Sequence, residues 1–135
     1  MAGRDVLART WYEQARADLA AAEASSAAGH YEWACFQAQQ AGEKALKAFL
    51  YERGRTSVVT HSLRRLAREA ATDDPTFAEF DETARWLDQH YIPTRYPNGL
   101  DTEMAPAAYY EEGDAEKCLR SARLILASVS RFFGN

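Results

Sequence analysis

The stretch from Tyr31 to Arg53, YEWACFQAQQAGEKALKAFLYER, constrains the fold more than any other part of the chain. It has no proline and one internal glycine, so it favours a single long helix. At about 100° per residue its apolar side chains fill one continuous arc, formed by Tyr31, Ala34, Cys35, Ala38, Ala41, Gly42, Ala45, Leu46, Ala48, Phe49 and Leu50. The opposite, polar side also carries large rings at Trp33, Phe36 and Tyr51. A helix with apolar groups on both sides must be covered on both, which predicts a helical bundle whose function lies at an interface.

Helix start and stop signals elsewhere predict an all-α chain that forms a single domain over residues 1–135. Thr10 and Glu13 have the spacing of a capping box, and Asp74-Pro75 is an N-cap followed by proline at the first helical position. The five predicted segments run from Thr10 to Gly29, from Tyr31 to Gly54, from His61 or Ser62 onward, from Asp74 to Pro93, and after Gly113 to the end of the chain. The sequence shows no strand alternation, repeat or low-complexity tract.

Composition places the chain among soluble globular proteins, with 135 residues, 47% hydrophobic residues and 27% charged residues. It contains no apolar run of the roughly 18 residues that cross a bilayer, and its N-terminus lacks a signal-peptide core. We therefore expect a cytoplasmic protein with no membrane contact.

Cys35 and Cys118 fall at apolar helix positions and are expected to be buried free thiols. Because no histidines are suitably spaced around them, the sequence predicts neither a metal nor a cofactor.

The net charge of −4 argues against a general nucleic-acid coat, but the charge is unevenly distributed. A basic block combines His61 with five arginines, Arg53, Arg55, Arg64, Arg65 and Arg68, while acidic residues concentrate in 69–82 and 101–116. The block is either a solvated helix face or a surface that holds a phosphate or an RNA strand.

A connection of about twenty residues, from Ile92 to Gly113, separates the fourth and fifth segments. Loops of this length in a compact helical domain are usually functional or interfacial. It begins IPTRYPNG, in which two prolines fix the backbone around Arg95 and its neighbour Tyr96. This rigidity exceeds what a spacer needs and marks Arg95 as a candidate functional residue.

Two motifs in this sequence resemble those of the HEPN family, small helical domains found widely in prokaryotes. One is ACFQAQQAGEKALKAFL, from Ala34 to Leu50, and the other is YIPTRYPN, from Tyr91 to Asn98. The THSL sequence at Thr60 to Leu63 supports them. The alanine-rich motif is weak alone but specific together with YIPTRYP, and the resemblance covers essentially the whole chain.

The resemblance implies an antiparallel up-and-down bundle of four main helices plus one short helix, with the long loop before the last helix. It also implies a homodimer. Many HEPN proteins act beside a minimal nucleotidyltransferase in toxin–antitoxin or related systems, others are metal-independent endoribonucleases, and a further branch is credited with nucleotide binding. A nucleotidyltransferase and a nucleotide or RNA are therefore the expected partners.

The ribonucleases of the family use an arginine followed four to six residues later by a histidine. Such a histidine shuttles the 2′-hydroxyl proton, and the arginine stabilises charge on the phosphorane. After Arg95 the corresponding positions are Gly99, Leu100 and Asp101, so this motif is not intact. Catalysis would then require Arg95 with a non-standard base, for which His61 is the weak candidate.

The polar side of the second helix has two interpretations. Gln40, Glu43 and Lys47 share one face with Phe36. In the first interpretation Gln40 and Lys47 contact a nucleotide or partner and Glu43 positions a cation. In the second, Glu43 and Lys47 form an i,i+4 salt bridge and the other polar groups hydrogen-bond across a dimer. The interface is expected to contain Trp33, Phe36, Gln37, Gln40 and Lys44.

Arg95 also has two interpretations. With Tyr91 and Tyr96 it could bind a phosphate and stack a base, or it could pair with Glu43 and anchor the loop on the second helix. The predicted ligand residues are thus Gln40, Glu43, Lys47, Arg95 and Tyr96. The leading hypothesis is a dimeric interaction and nucleotide-binding module, and the alternatives are a ribonuclease and a structural dimer without ligand.

Overall fold

The computed structural model describes residues 2–134, which form helices and turns and contain no β-strand. The helices are α1 (Ala2–Ala27), α2 (Tyr31–Glu52), α3 (Leu63–Asp73), α4 (Asp81–Asp88), α5 (Pro106–Tyr109) and α6 (Glu112–Ser130), and 3₁₀ turns occupy Pro75–Phe80 and Pro97–Gly99. The prediction of an all-α helical bundle is confirmed. Within residues 2–134, no helix combines the length and the apolar character needed to cross a bilayer.

The hairpin of α1 and α2 forms the largest contact between elements. Only three residues join the two helices, so they run antiparallel. Gly29 has a φ of +83°, the left-handed conformation that ends α1, and the His30 amide donates to the Ser25 carbonyl at 2.8 Å. Buried alanines line both helices, including Ala8 and Ala15 of α1 and Ala38 and Ala45 of α2. These small side chains let the two backbones lie close together.

The predicted start of the first helix is wrong, because the chain is already helical from Ala2. Thr10 lies inside α1, where its hydroxyl donates to the Val6 carbonyl at 2.8 Å instead of capping the helix. The capping signal at Thr10 and Glu13 therefore does not mark the start of the helix.

The second half of the domain packs on α2 around Phe49. Phe49 is fully buried, with ring centroids 4.5 Å from Phe77 and 4.8 Å from Phe132. The predicted fourth helix is divided, since the Asp74-Pro75 start produces a 3₁₀ turn and α4 begins only at Asp81. The 92–113 connection also differs from a plain loop, because it contains the Pro97–Gly99 turn and the short helix α5.

Acidic side chains pair with most of the basic block. Arg55 contacts Asp73 at 2.6 Å, and Arg64 and Arg68 contact Asp81 at 3.0 and 2.7 Å. Arg65 is exposed on α3 and makes no ion pair among the side chains that the structure describes. The structure therefore favours the solvated-face interpretation for most of this block.

Asp81 links α3 to α4, which predicts an acid-sensitive contribution to stability. Hydrogen bonds from Arg64 and then Arg68 lower the pKa of Asp81 from 3.8 to about 2. A depressed folded-state pKa stabilises the fold above the unfolded value, and this stabilisation is lost as the pH falls from 3.8 toward 2. Urea unfolding across this interval should show a shallower pH dependence in Asp81→Asn than in wild type. Glu79→Gln, at an exposed neighbouring carboxyl, should keep the wild-type dependence of the unfolding free energy on pH. An unchanged dependence in Asp81→Asn would contradict the stabilising role of Asp81.

Candidate functional site

Arg95 lies among three aromatic rings at the surface of the domain. Its guanidinium carbon is 4.3 Å from the ring centroid of Phe36, 4.7 Å from that of Tyr91 and 5.2 Å from that of Tyr96. Trp33 extends the group through an edge-on contact with Phe36 at 6.1 Å. We call these five residues the Arg95 cluster. Helix α2 supplies Trp33 and Phe36, and the segment after α4 supplies the others.

The hydrogen bonds of Arg95 leave the end of its side chain available. Its Nε donates to the Tyr91 carbonyl at 2.9 Å, which fixes the orientation of the guanidinium. Among residues 6–134, its two terminal nitrogens make no hydrogen bond to a side-chain or backbone acceptor, and no carboxylate pairs with Arg95. The alternative in which Arg95 pairs with a carboxylate such as Glu43 is therefore wrong, since Glu43 pairs with Lys47 and His61 instead.

The Arg95 cluster is also a surface with a large apolar component. Trp33 is 45% exposed, Tyr96 49% and the adjacent Ile92 46%, while Phe36 and Tyr91 are half-buried. Cation–π contacts orient Arg95 without neutralising its charge. The site thus presents a positive, planar donor group surrounded by rings.

Glu43 and Lys47 form a buried ion pair on α2. Glu43 is 3% exposed, Lys47 is 4% exposed, and Lys47 Nζ lies 3.1 Å from Glu43 Oε2. Trp11 of α1 covers Lys47, with its ring centroid 5.3 Å from Nζ. The predicted i,i+4 salt bridge is confirmed. Trp11 of the same chain covers this part of the polar side of α2.

Two glutamines connect Glu43 to the surface. Gln39 Nε2 donates to Glu43 Oε1 at 3.4 Å, and Gln40 Nε2 donates to Gln39 Oε1 at 2.8 Å. Gln39 is fully buried, whereas Gln40 is half-buried and so stands closer to solvent. A ligand role for Gln40, Glu43 and Lys47 stays a prediction.

His61 joins the ion pair to the Arg95 cluster. Its Nδ1 lies 3.2 Å from Glu43 Oε2, and its ring stacks on Tyr91 with centroids 5.2 Å apart. Because a carboxylate only accepts, Nδ1 donates in this contact, and Nε2 makes no hydrogen bond among the residues that the structure describes. The side chain is 60% exposed. His61 and Arg95, which the sequence could not place together, thus contact the same tyrosine ring within one chain.

Two of the predicted interface residues have partners on α1. Lys44 Nζ lies 2.7 Å from Asp18 Oδ2, and the Gln37 amide lies 2.7 Å from Ser25 Oγ. Trp33, Phe36 and Gln40 remain at least partly exposed. Trp33 and Phe36 belong to the Arg95 cluster, and the composition of the interface stays a prediction.

A second group of reactive side chains lies inside the bundle. Cys35 of α2, Cys118 of α6 and His90, just after α4, are buried, and their potential ligand atoms all lie within 4.8 Å of one another. Both cysteines are free, as expected. Burial and the neighbouring Cys35 thiol raise the pKa of Cys118, and burial lowers the pKa of His90. In the absence of a bound ion, the Cys118 thiol and the His90 ring are therefore neutral near pH 7.

Aromatic side chains cover this group on the side of the long connection. The ring of His90 lies 4.4 Å from that of Trp86 and 5.9 Å from that of Tyr110. His90 also borders a surface cleft of about 390 Å³, together with Tyr110 and Asp114. Burial raises the pKa of Tyr110, so its hydroxyl stays protonated. Trp86 and Tyr110 thus pack against His90 on this side.

Sequence reasoning missed the thiol–imidazole group, because its members are far apart in the chain and follow no metal-binding spacing. It also missed Trp11 as the cover of Lys47. The helical stripe on which Trp11 lies was visible in the sequence, but the residue that it covers depends on the α1–α2 register.

Comparisons with known proteins agree on one family. A model of the HEPN domain family matches residues 8–132. A Methanocaldococcus jannaschii protein named "Putative toxin MJ1304" is 29% identical over 132 residues, spanning 93% of this chain and 87% of that protein. The crystal structure of TT1696 from Thermus thermophilus superposes with a TM-score of 0.86 at 41% identity, covering 93% of this chain and 97% of that chain. ST0689, described as an archaeal HEPN homologue, gives a TM-score of 0.75 at 38% identity, covering 91% and 94%.

Proposed function

Because the chain belongs to the HEPN domain family, we propose that it is a homodimeric nucleotide-binding module that acts with a minimal nucleotidyltransferase in a toxin–antitoxin-like system. The observation that carries this proposal is the orientation of Arg95 among aromatic rings, with its terminal nitrogens available. A guanidinium binds phosphate oxygens in a planar, bidentate manner, and exposed rings stack on bases. Arg95 would bind the phosphate, and Tyr96 or Trp33 would stack on the base.

Two further observations support parts of this proposal. The relative named as a toxin spans nearly the same length as this chain, which supports a toxin-like role. The buried Glu43–Lys47 pair holds His61, and His61 stacks on Tyr91, so together they position the ring on which Arg95 rests. In this account Glu43 and Lys47 position the site, and Gln40 lies at its edge.

The homodimer would form over the Arg95 cluster. Exposed Trp33, Ile92 and Tyr96 are the kind of residues that a protein–protein interface buries, and tryptophan, tyrosine and arginine are enriched among those that contribute most to binding. A two-fold axis through this surface would bring two Arg95 clusters together and place the nucleotide in the cleft between the chains.

Trp33→Glu tests this arrangement by placing a charge in the proposed interface. We expect wild type to sediment as a dimer and Trp33→Glu to weaken the dimer by at least about 30-fold, since a central tryptophan contributes at least about 2 kcal/mol. The measurement is sedimentation velocity over a range of protein concentrations. Leu124→Glu is the matched control, because Leu124 is a 56% exposed apolar residue on α6. A monomeric wild type, or a dimer that only Leu124→Glu dissociates, would refute the proposed interface.

A metal-independent ribonuclease is the second candidate, favoured by the position of His61. Nε2 of His61 makes no hydrogen bond among the described residues, and His61 and Arg95 both contact the ring of Tyr91. In the cleft of a dimer, His61 as the base and Arg95 as the phosphate-binding residue would then face one RNA strand. RNA cleavage in the presence of EDTA that disappears in His61→Gln would favour this candidate. If no RNA is cleaved at high protein excess, the ribonuclease candidate is excluded.

A further inference from the structure

We propose that Cys35, His90 and Cys118 form a binding site for a thiophilic divalent cation of the Zn²⁺ class. Three observations carry this inference: two thiols and one imidazole converge, all three are buried, and they come from three different parts of the fold. Two sulfurs and one nitrogen are a donor set that zinc prefers. The site is separate from the Arg95 cluster and does not depend on the proposed function.

The distances allow an ion to be bound with small movements. With Zn–S near 2.3 Å and Zn–N near 2.0–2.1 Å, tetrahedral geometry places ligand atoms about 3.5 to 3.8 Å apart. The three donor atoms already lie within 4.8 Å of one another. Closing the set therefore shortens each distance between ligand atoms by at most about 1.3 Å.

The hydrogen bonding of His90 favours a ligand role. Its Nδ1 lies 3.0 Å from the Trp86 carbonyl, and because a carbonyl only accepts, Nδ1 carries the proton. The lone pair is then on Nε2. Zinc-binding histidines usually donate their other ring nitrogen to a carbonyl or carboxylate, which fixes both tautomer and orientation. In His90 the contact with Trp86 would play this part and leave Nε2 as the ligand atom.

The surroundings of the group provide an apolar shell and a route of access. The rings of Trp86 and Tyr110 pack on His90, and His90 borders the cleft of about 390 Å³. Such a shell limits water and strengthens metal–ligand attraction. On binding, each thiol releases its proton to solvent and coordinates as thiolate. Three protein ligands leave the fourth tetrahedral position to water or to an added donor.

An ion at this site would fasten three elements to one another. Cys35 lies on α2, Cys118 on α6, and His90 at the end of α4, directly before the segment that carries Arg95. A ligand that binds only the folded chain stabilises it by mass action. We therefore expect zinc to raise the melting temperature of the domain and to order the start of the Arg95 segment.

Cobalt titration of the chelator-treated protein, reduced with a phosphine, tests the site. Co²⁺ should produce the near-ultraviolet charge-transfer band of thiolate ligation and saturate at one ion per chain, and excess Zn²⁺ should remove the band. Cys118→Ser and Cys35→Ser should each abolish it, and His90→Gln should weaken cobalt affinity by about tenfold or more. His30→Gln, at an exposed histidine of the α1–α2 turn, is the control and should bind as wild type does.

Three results would overturn the proposal: no thiolate band in the wild-type protein, a band that persists in Cys35→Ser, or a melting temperature that neither Zn²⁺ nor Co²⁺ changes. Circular dichroism identifies variants that do not fold. Since the wild-type titration alone can refute the site, the test holds even if every buried variant is unfolded. These readouts involve neither nucleotide nor dimer, so they are independent of the proposed function.

Discussion

Lys47→Met should destabilise the domain by about 3 kcal/mol, because it leaves Glu43 as a buried charge without its main partner. Methionine keeps most of the side-chain volume under Trp11, so the loss is electrostatic rather than a cavity effect. His61 and Gln39 still contact Glu43, which keeps the loss at the lower end of the range for broken buried pairs. Urea unfolding at pH 7 followed by circular dichroism gives the value.

The double variant Glu43→Gln/Lys47→Met separates the cost of the unpaired charge from the value of the pair. Since neither charge remains, we expect it to recover most of the lost stability. Lys44→Met is the matched control on the same helix, because Lys44 pairs with Asp18 near the surface, where such pairs contribute at most about 1 kcal/mol. If Lys47→Met lowers the free energy of unfolding no more than Lys44→Met does, the Glu43–Lys47 pair does not stabilise the domain as we describe.

Arg95→Met should remove nucleotide binding while leaving the fold intact. Methionine retains contacts with Phe36 and Tyr91 but supplies no donor to a phosphate. Hydrogen bonds to charged groups contribute about 1.5 to 3 kcal/mol, so affinity should fall about 10- to 100-fold. At a nucleotide concentration about 100 times the wild-type Kd, ligand stabilisation should fall from about 2.7 kcal/mol to about 0.4 kcal/mol for a 100-fold weaker variant. Thermal unfolding with and without nucleotide measures this difference.

The control for this variant is Arg65→Met, which removes the same charge from an exposed position on α3. It should keep the full nucleotide-induced rise in melting temperature. If both variants lose the same share of the nucleotide-induced rise in melting temperature, only the net charge of the protein matters for binding. Arg95 would then have no specific role. A rise in Arg95→Met as large as that of wild type would exclude Arg95 from the binding site.

Periodicity in the sequence was sufficient to predict the helices and the main core face, because both depend on residues close together in the chain. It also predicted the Glu43–Lys47 pair, since i,i+4 spacing fixes proximity on any helix. The boundaries were less predictable. Helix α1 begins well before the capping signal at Thr10, and Asp74-Pro75 starts a 3₁₀ turn in place of a continuous fourth helix.

Contacts between distant segments required the structure. Arg95 was singled out by its rigid, proline-flanked segment, but the sequence offered phosphate, aromatic rings and Glu43 as alternative neighbours. Only the path of that segment over the start of α2 brings Arg95 to Phe36. The same reason explains why the convergence of Cys35, His90 and Cys118 was missed, since it depends on how three elements pack.

Isothermal titration with ATP and with adenosine tests directly whether the Arg95 cluster recognises a nucleotide through its phosphate. The two ligands share the base and sugar, so they differ only in the groups that Arg95 would bind. We predict that ATP binds and that its affinity falls as salt concentration rises, whereas adenosine binds at least about tenfold more weakly. Equal affinity for ATP and adenosine, or no heat of binding with either, would contradict the account.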